Sequence, residues 1–231
     1  MRKQQLPRFQ KKIDSATIGY LNLLEPKELL SVSINLSNSL SSLSSPIRRS
    51  ILTLQHTLYA SLMVDVHSWL FDPSKGSSNL SLYNLLEQLT DKDTKFNTKY
   101  LKSYYIAEPN VVKLNESASR CQSEFVSKRV AKFDQDFLEC IGNIEELLNS
   151  GQATRIKLLR NKLLAHKDGV YDVKANGHEI GDVFYLLGQM KVILLTLNRL
   201  FQRVSYPIEE SEQQAKSNAD FFWKHVARTK I

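Results

Sequence analysis

Apolar residues recur at every third or fourth position along much of this chain, the spacing that places them on one face of an α-helix. The clearest run predicts a long helix whose apolar residues alternate steps of four and three: Val126, Val130, Phe133, Phe137, Cys140, Ile144 and Leu147. A heptad-like seam of this kind is typical of a helix packed lengthwise against its neighbours. The polar and glycine residues at 149–151 predict its end.

Three other apolar runs predict further helices. Pro46 suits the first turn of the second of these helices, with Ser45 as its cap, and Asp72 and Pro73 predict its end. A short helix is expected over 82–89. The apolar positions are Leu29, Val32, Leu36, Leu40 and Leu43 in the first run; Ile51, Leu54, Leu58, Leu62, Val66 and Trp69 in the second; and Val183, Leu186, Met190, Ile193, Leu197, Leu200 and Val204 in the last.

No segment alternates apolar and polar residues over a useful length, and no internal repeat is evident. The sequence therefore predicts an all-α protein, an up-and-down helical bundle with antiparallel neighbours and an additional C-terminal helix. Residues 25–205 are expected to form the bundle, preceded by a basic segment over 1–24. Residues 206–231 are expected to form a linker and a basic amphipathic helix.

Composition narrows the class of partner. The 231 residues carry a net charge of +7, which favours an acidic partner such as nucleic acid, although a merely soluble basic protein explains so modest an excess equally well. Cys121 and Cys140 have no histidines at zinc-ligand spacing, so we expect reduced thiols, no metal and no cofactor. The N-terminus lacks an apolar signal region, and Lys191 and Arg199 interrupt the most apolar stretch. We therefore expect a cytoplasmic protein without a membrane span.

The segment 160–169 holds the candidate chemistry, at the end of a helix predicted over 152–167, with Gly169 suited to its left-handed terminal residue. Arg160, Asn161 and His166 place a permanent cation, an amide and a titratable imidazole within about two helical turns. A guanidinium fork can hold two phosphate oxygens, and an imidazole in the last helical turn is favoured in its protonated form, as a general acid needs. This combination suits chemistry on a phosphodiester.

Helical geometry adds a constraint on these side chains. At about 100° per residue, Arg160 and His166 lie on either side of the apolar stripe that contains Ile156 and Leu159, whereas Asn161 lies further round. Polar groups that flank an apolar face need a partner, a cleft or a ligand. A symmetric dimer would join two such sets in one groove. The alternative is an ion-pair network within the bundle.

The residues around the motif resemble a known family. The pattern Arg160-Asn161-x-x-x-x-His166 in a late helix is similar to the R-x(4–6)-H signature of the HEPN superfamily. The wider segment resembles its AbiU-like abortive-infection branch: Leu159-Arg160-Asn161-Lys162-Leu163-Leu164-Ala165-His166-Lys167-Asp168. The segment 63–86, with the Asp72-Pro73 turn and the string LSLYNLLEQL, is also similar to that branch. The resemblance covers residues from about 25 to 205.

This resemblance implies a metal-independent endoribonuclease of a bacterial toxin or antiphage defence system, acting on RNA as a homodimer. In that scheme the ribose 2′-OH attacks phosphorus and leaves a 2′,3′-cyclic phosphate and a 5′-OH. His166 would be the general acid or base, Arg160 would stabilise the phosphorane, and Asn161 would hydrogen-bond the phosphate or orient a partner. In some HEPN toxins a tyrosine two residues after the histidine is modified by an antitoxin. Asp168 stands there in this chain, so that regulation is not expected.

Basic residues surround the motif and are candidates for steering an RNA backbone, although a solvated helix face explains them almost as well: Arg155, Lys157, Lys162 and Lys167. His67 is given no function, because Asp65, two residues away on a helix, does not face it. Many HEPN proteins use the fold only for binding. The alternative function is thus a non-catalytic module that binds RNA or a protein partner, such as an antitoxin or a defence-complex subunit.

Overall fold

The computed structural model describes residues 5–36, 44–72, 81–90, 98–106, 116–160 and 179–228. This part of the chain contains helices and no strands, so the prediction of an all-α helical bundle is confirmed. The helices are α1 (Gln5–Asn35), α2 (Ser45–Phe71), α3 (Leu82–Thr90), α4 (Thr98–Ile106), α5 (Glu116–Asn149), α6 (Gly151–Leu159), α7 (Ile180–Gln202) and α8 (Ile208–Arg228).

Helix α7 is the centre of the bundle, with α1, α2, α5 and α6 packed around it. It begins with a capping box in which Glu179 and Asp182 exchange side-chain to backbone hydrogen bonds. Its length and mean hydropathy would also suit a membrane span. In this structure, however, half of that stretch is buried by other helices, including Leu186, Met190 and Leu197. Its apolar character is therefore that of a core helix.

Helix α1 runs antiparallel to α7. The Gln10 side chain donates to the Phe201 carbonyl at 2.8 Å, and one turn or more further on Asn198 donates to Thr17 at 2.9 Å. Leu6, Phe9 and Ile13 are buried in the main core. The boundary predicted between residues 24 and 25 consequently falls within one continuous helix. Charged residues interleaved with these apolar positions conceal the pattern in the sequence.

Helix α2 confirms the predicted element, with one correction at its start. Ser44 is the residue that precedes the helix, Ser45 is its first residue, and Pro46 lies in the first turn. The capping role given to Ser45 is therefore wrong by one position, and Ser44 makes no side-chain cap hydrogen bond. The helix ends at Phe71, as the Asp72-Pro73 pair predicts.

Helix α5 carries the predicted seam. Five of its residues are buried in the core: Phe133, Phe137, Cys140, Ile144 and Leu147. Burial raises the pKa of the Cys140 thiol to about 12, so this cysteine is a core side chain and not a reactive thiol. Helix α4 was not predicted from the sequence, since its two buried residues, Leu101 and Tyr105, are too few to make a pattern.

Helix α8 folds back onto α1. The Trp223 side chain is completely buried beside Ile51, and its indole N–H donates to the Leu29 carbonyl at 2.8 Å. Lys191 of α7 donates to Glu212 at 2.6 Å, and Tyr20 of α1 donates to the same carboxylate at 3.3 Å. The C-terminal helix is thus part of the packed structure.

Candidate functional site

The site is built on α6, a short helix that follows α5 after a sharp turn. Ser150 caps it, because its hydroxyl accepts a hydrogen bond from the Ala153 N–H at 3.1 Å. Ala153, Ile156 and Leu159 are buried and fix the helix against the core. Ile156 and Leu159 belong to the apolar stripe predicted for the motif helix, so the orientation of Arg160 relative to the core follows directly from packing.

Arg160 is the last described residue of this segment. Its backbone is still helical (φ −58°, ψ −47°), and its N–H is shared between the carbonyls of Ile156 and Lys157. Its side chain is half-buried. The other motif residues lie outside the described residues, as does the C-terminal part of the predicted helix: Asn161, Lys162, His166, Lys167, Asp168 and Gly169. Their roles stay predictions.

Arg155 is held by a carboxylate within the protein. Its Nε and Nη2 donate to the two oxygens of Asp182 at 2.9 and 2.6 Å, a bidentate ion pair that joins α6 to the start of α7. Asp182 is only 5% exposed, and its hydrogen bonds raise the pKa of Arg155. Steering of RNA by Arg155 stays a prediction. It would have to use the guanidinium N–H groups of Arg155 that are not hydrogen-bonded to Asp182.

Lys157 lies on the opposite side of the same helix, with its ammonium 5.0 Å from the centre of the Phe71 ring at the end of α2. A cation over an aromatic face at this distance is attracted by the ring quadrupole. The side chain is exposed, so its charge remains available to an anion in solvent. This contact brings the end of α6 to the end of α2.

His67, to which the sequence analysis assigns no function, lies at the same end of α2. It is 6% exposed, its ring centre lies 5.4 Å from that of Phe71, and its Nδ1 lies 3.7 Å from Oδ1 of Asp72. Burial lowers the pKa of His67, and the charges of Arg160 and Lys157 lower it further against the opposing effect of Asp72. The imidazole is therefore neutral at pH 7. The motif arginine thus lies close enough to a second histidine to change its protonation.

No local signal in the sequence pairs these groups. Asp65 was compared with His67 because the two are adjacent along the helix, but the carboxylate that meets His67 belongs to Asp72, five residues later and just past the end of α2. The charges of Arg160 and Lys157 act on His67 from a different helix. Only the packing of α6 against the end of α2 creates this arrangement.

We call these five residues the His67 cluster: His67, Phe71, Asp72, Lys157 and Arg160. It brings two cationic side chains, Lys157 and Arg160, near a neutral imidazole and one carboxylate, groups that suit contact with an anionic ligand. Among the described residues, no three His, Cys, Asp or Glu side chains are grouped so as to hold a metal ion. The described groups of the cluster offer hydrogen bonding, charge and proton transfer.

Comparison with known proteins agrees with the resemblance seen in the motif. The family model HEPN_AbiU2, described as AbiU2, matches residues 31–222, which is well over half of the chain. The match includes α2, α6 and α7, and hence all of the His67 cluster. No curated protein and no solved structure matches the chain.

Proposed function

Because this chain belongs to the HEPN_AbiU2 family of abortive-infection-related HEPN proteins, we propose that it is a metal-independent endoribonuclease that acts on RNA in the cytoplasm as part of a bacterial defence or toxin system. The observation that carries the proposal is the position of Arg160. It stands at the end of α6 within the His67 cluster, where a helix packed on the core places its charge so that it lowers the pKa of a neutral imidazole, with a second cation, Lys157, on the same helix.

In the proposed reaction, the ribose 2′-OH attacks the adjacent phosphorus, the bond from phosphorus to O5′ breaks, and the products are a 2′,3′-cyclic phosphate and a 5′-OH. His166 takes the 2′-OH proton or delivers a proton to the leaving oxygen. Arg160 stabilises the negative charge that grows on the phosphorane oxygens, and Asn161 hydrogen-bonds the same phosphate. Lys157, Lys162 and Lys167 attract the RNA backbone.

The proposed site is completed by a second copy of the chain. Leu158 supports this part of the proposal, because it is 42% exposed although it lies on α6 between Lys157 and the buried Leu159. A partner subunit that packs beside the motif would cover this side chain and bring a second Arg160 into the same groove.

The primary test is cleavage of single-stranded RNA by the purified chain in excess EDTA, with the product ends identified by mass spectrometry. We expect 2′,3′-cyclic phosphate ends, and loss of cleavage in Arg160→Ala and His166→Ala. Arg49→Ala is the matched control, since it removes an equal charge from an exposed position at the other end of α2. Robust cleavage by both motif variants would overturn the proposal.

The composite site has its own test. If both subunits share the groove, mixing the inactive Arg160→Ala and His166→Ala proteins restores part of the activity, because each mixed dimer has one Arg160 and one His166 in its groove. Light scattering on the same samples gives the oligomeric state. A monomeric active protein, or dimers that show no complementation, would contradict the shared groove.

A non-catalytic binding module is the second candidate. Phe221 and Phe222 favour it, because both aromatic rings are exposed on α8 while the neighbouring Trp223 is buried. Exposed aromatic side chains are enriched in protein interfaces. A stable complex with a protein encoded by a neighbouring gene, weakened by Phe221→Ser and unchanged by His166→Ala, together with no RNA cleavage, would assign this function instead.

A further inference from the structure

A second region of the molecule has the properties of a ligand site. A cavity of about 360 Å³ lies between α1 and α2, a volume in the usual range for small-molecule sites. Ser15, Gly19 and Asn22 of α1 form one wall, and Asp65, Ser68 and Trp69 of α2 form the other. We call it the α1–α2 pocket. Its lining is an aromatic ring, one carboxylate and several neutral polar groups.

The carboxylate of Asp65 is the specific feature of the pocket. Asp65 is exposed at the edge of the pocket, and the partial burial of its carboxyl raises the pKa of Asp65 against the opposing effect of a hydrogen bond from Ser61. Asp65 forms no ion pair with any residue in the described part of the chain. An ionised carboxylate in this position is stabilised by a ligand that offers two hydrogen-bond donors side by side.

Positive charge lies next to the pocket on α1. Lys12 lies one helical turn before the pocket residues Ser15 and Ala16, on the same face of α1. Arg8 lies one turn before Lys12 on that face. Burial lowers the pKa of Lys12, and repulsion from Arg8 lowers it further. Neither residue forms an ion pair within the described chain. Like charges four residues apart destabilise a helix, and an anion between them removes that cost.

Together these features describe a ligand with a phosphate at one end and a donor-rich ring at the other. We propose that the α1–α2 pocket binds a guanine nucleotide, with its base between Asp65 and Trp69 and its phosphate on Lys12 and Arg8. Guanine is the standard base that presents two adjacent donors on its pairing edge, N1–H and N2–H, to a carboxylate. Adenine, cytosine and uracil each place an acceptor beside their donor, which the carboxylate repels.

A cationic side chain from a protein partner fits less well. A guanidinium or ammonium could reach Asp65, but it would bring a positive charge close to Lys12 and Arg8. A nucleotide satisfies both ends of the site. The distance between the two ends of the site also suits a nucleotide. Residues 12 and 19 are about 10 Å apart along α1 at 1.5 Å per residue, which is close to the length of a nucleotide from its phosphate to the edge of its base.

The pocket is connected to the His67 cluster through Asp72. Ser68 on the pocket wall donates to Oδ2 of Asp72 at 2.5 Å, and Oδ1 of the same carboxylate faces His67. A strand of RNA held by Arg160 would therefore pass close to the pocket at the end of α2. Recognition of a guanine base within an RNA strand rests on the proposed function, whereas binding of a free guanine nucleotide does not.

Isothermal titration of the full-length Arg160→Ala protein with GMP and AMP tests the site without cleavage. We expect GMP to bind at least 10-fold more tightly than AMP. Asp65→Asn should weaken GMP binding at least 10-fold, and Lys12→Gln should weaken binding of GMP but not of guanosine. Glu146→Gln, an exposed change of the same kind on α5, is the control and should bind GMP normally.

Gly19→Leu provides a variant that blocks the pocket and keeps the fold. A Cβ at Gly19 meets no atom within 4 Å, so the new side chain extends into open space and not into the core. We expect it to abolish GMP binding without lowering the thermal midpoint, because leucine favours the helical conformation more than glycine does. Equal affinities for GMP and AMP, or GMP binding that survives both Gly19→Leu and Asp65→Asn, would overturn the proposal. Asp65-dependent binding of argininamide without GMP binding would overturn it in favour of a protein partner.

Labelled RNA octamers distinguish the two possible ligands, a guanosine within an RNA strand and a free guanine nucleotide. An octamer of uridines with one central guanosine should bind Arg160→Ala more tightly than an all-uridine octamer, and Gly19→Leu should remove the difference. GMP binding without this difference assigns the pocket to a free nucleotide. GMP binding by a chain whose wild type cuts no RNA would refute the nuclease and leave the pocket intact, so the two failures are distinguishable.

Discussion

Two regions of the molecule use similar polar side chains for different purposes. One is the contact between α1, α7 and α8, and the other is the His67 cluster. In the first region Lys191 is paired with Glu212, and Trp223 gives its indole N–H to the Leu29 carbonyl. In the His67 cluster, Nδ1 of His67 lies 3.7 Å from Oδ1 of Asp72, and the charges of Arg160 and Lys157 act on the same imidazole. The first arrangement satisfies its own charges and holds the helices together. The second places cationic side chains and a neutral imidazole at one end of α2, where the proposed RNA substrate would bind.

The largest expected effect tests the scaffold side of this comparison. Trp223→Ala should lower the free energy of unfolding by about 3–5 kcal/mol, because it removes a fully buried indole and leaves a cavity between α8 and the helices it packs on. Urea denaturation followed by circular dichroism measures it. Phe222→Ala, at the adjacent and 42% exposed position, is the matched control. A similar loss in both variants would show that α8 is not anchored by Trp223.

The next effect should fall on activity instead of stability. Arg160→Ala should slow RNA cleavage by about 10²-fold or more, since it removes a charge that acts on the transition state. Its free energy of unfolding should change by less than about 1 kcal/mol, because the side chain is half-buried at a helix end. Single-turnover kinetics and urea denaturation of the same protein give the two quantities. A loss of stability as large as the loss of activity would make Arg160 a scaffold residue.

Arg155 should behave in the opposite way, although it is only five residues from Arg160. Arg155→Ala leaves the buried carboxylate of Asp182 without its bidentate partner, and should cost about 2 kcal/mol of stability. A double-mutant cycle with Asp182→Asn, measured by denaturation, isolates the pair. Strictly additive losses would show that the ion pair contributes nothing. RNA cleavage by folded Arg155→Ala should stay closer to wild type than cleavage by Arg160→Ala.

The smallest effect concerns the pH dependence of stability. The pKa of His67 is lowered in the folded protein, so its contribution is fully present above the ordinary histidine value near 6.5 and is lost as the pH falls through the lower folded value. Wild type should therefore lose more stability between pH 7 and pH 5 than His67→Gln does. His56→Gln, exposed on the same helix, should retain the wild-type slope. Equal slopes for all three proteins would contradict the burial of a neutral His67.

Much of the scaffold could be predicted from the chain because long helices carry a repeated pattern. The seam of α5 and the apolar run of α7 predict helices that the structure confirms, and Asp72-Pro73 predicts where α2 ends. The short helix α4 and the first part of α1 could not be predicted in the same way. Their buried residues are few or separated by charges, and they are fixed by contacts with distant helices such as that of Gln10 with Phe201.

The sequence by itself determined the helical class and the family of the chain, and it predicted Arg160 as a site residue, because periodicity and motif spacing are local properties of a helix. The tertiary structure alone decided that Asp182 holds Arg155, that the charge of Arg160 acts on His67, and that Asp65 lines a pocket with α1. These pairings join residues that are distant along the chain. They depend on how the helices pack against one another, and packing is set by the whole core and not by any one segment.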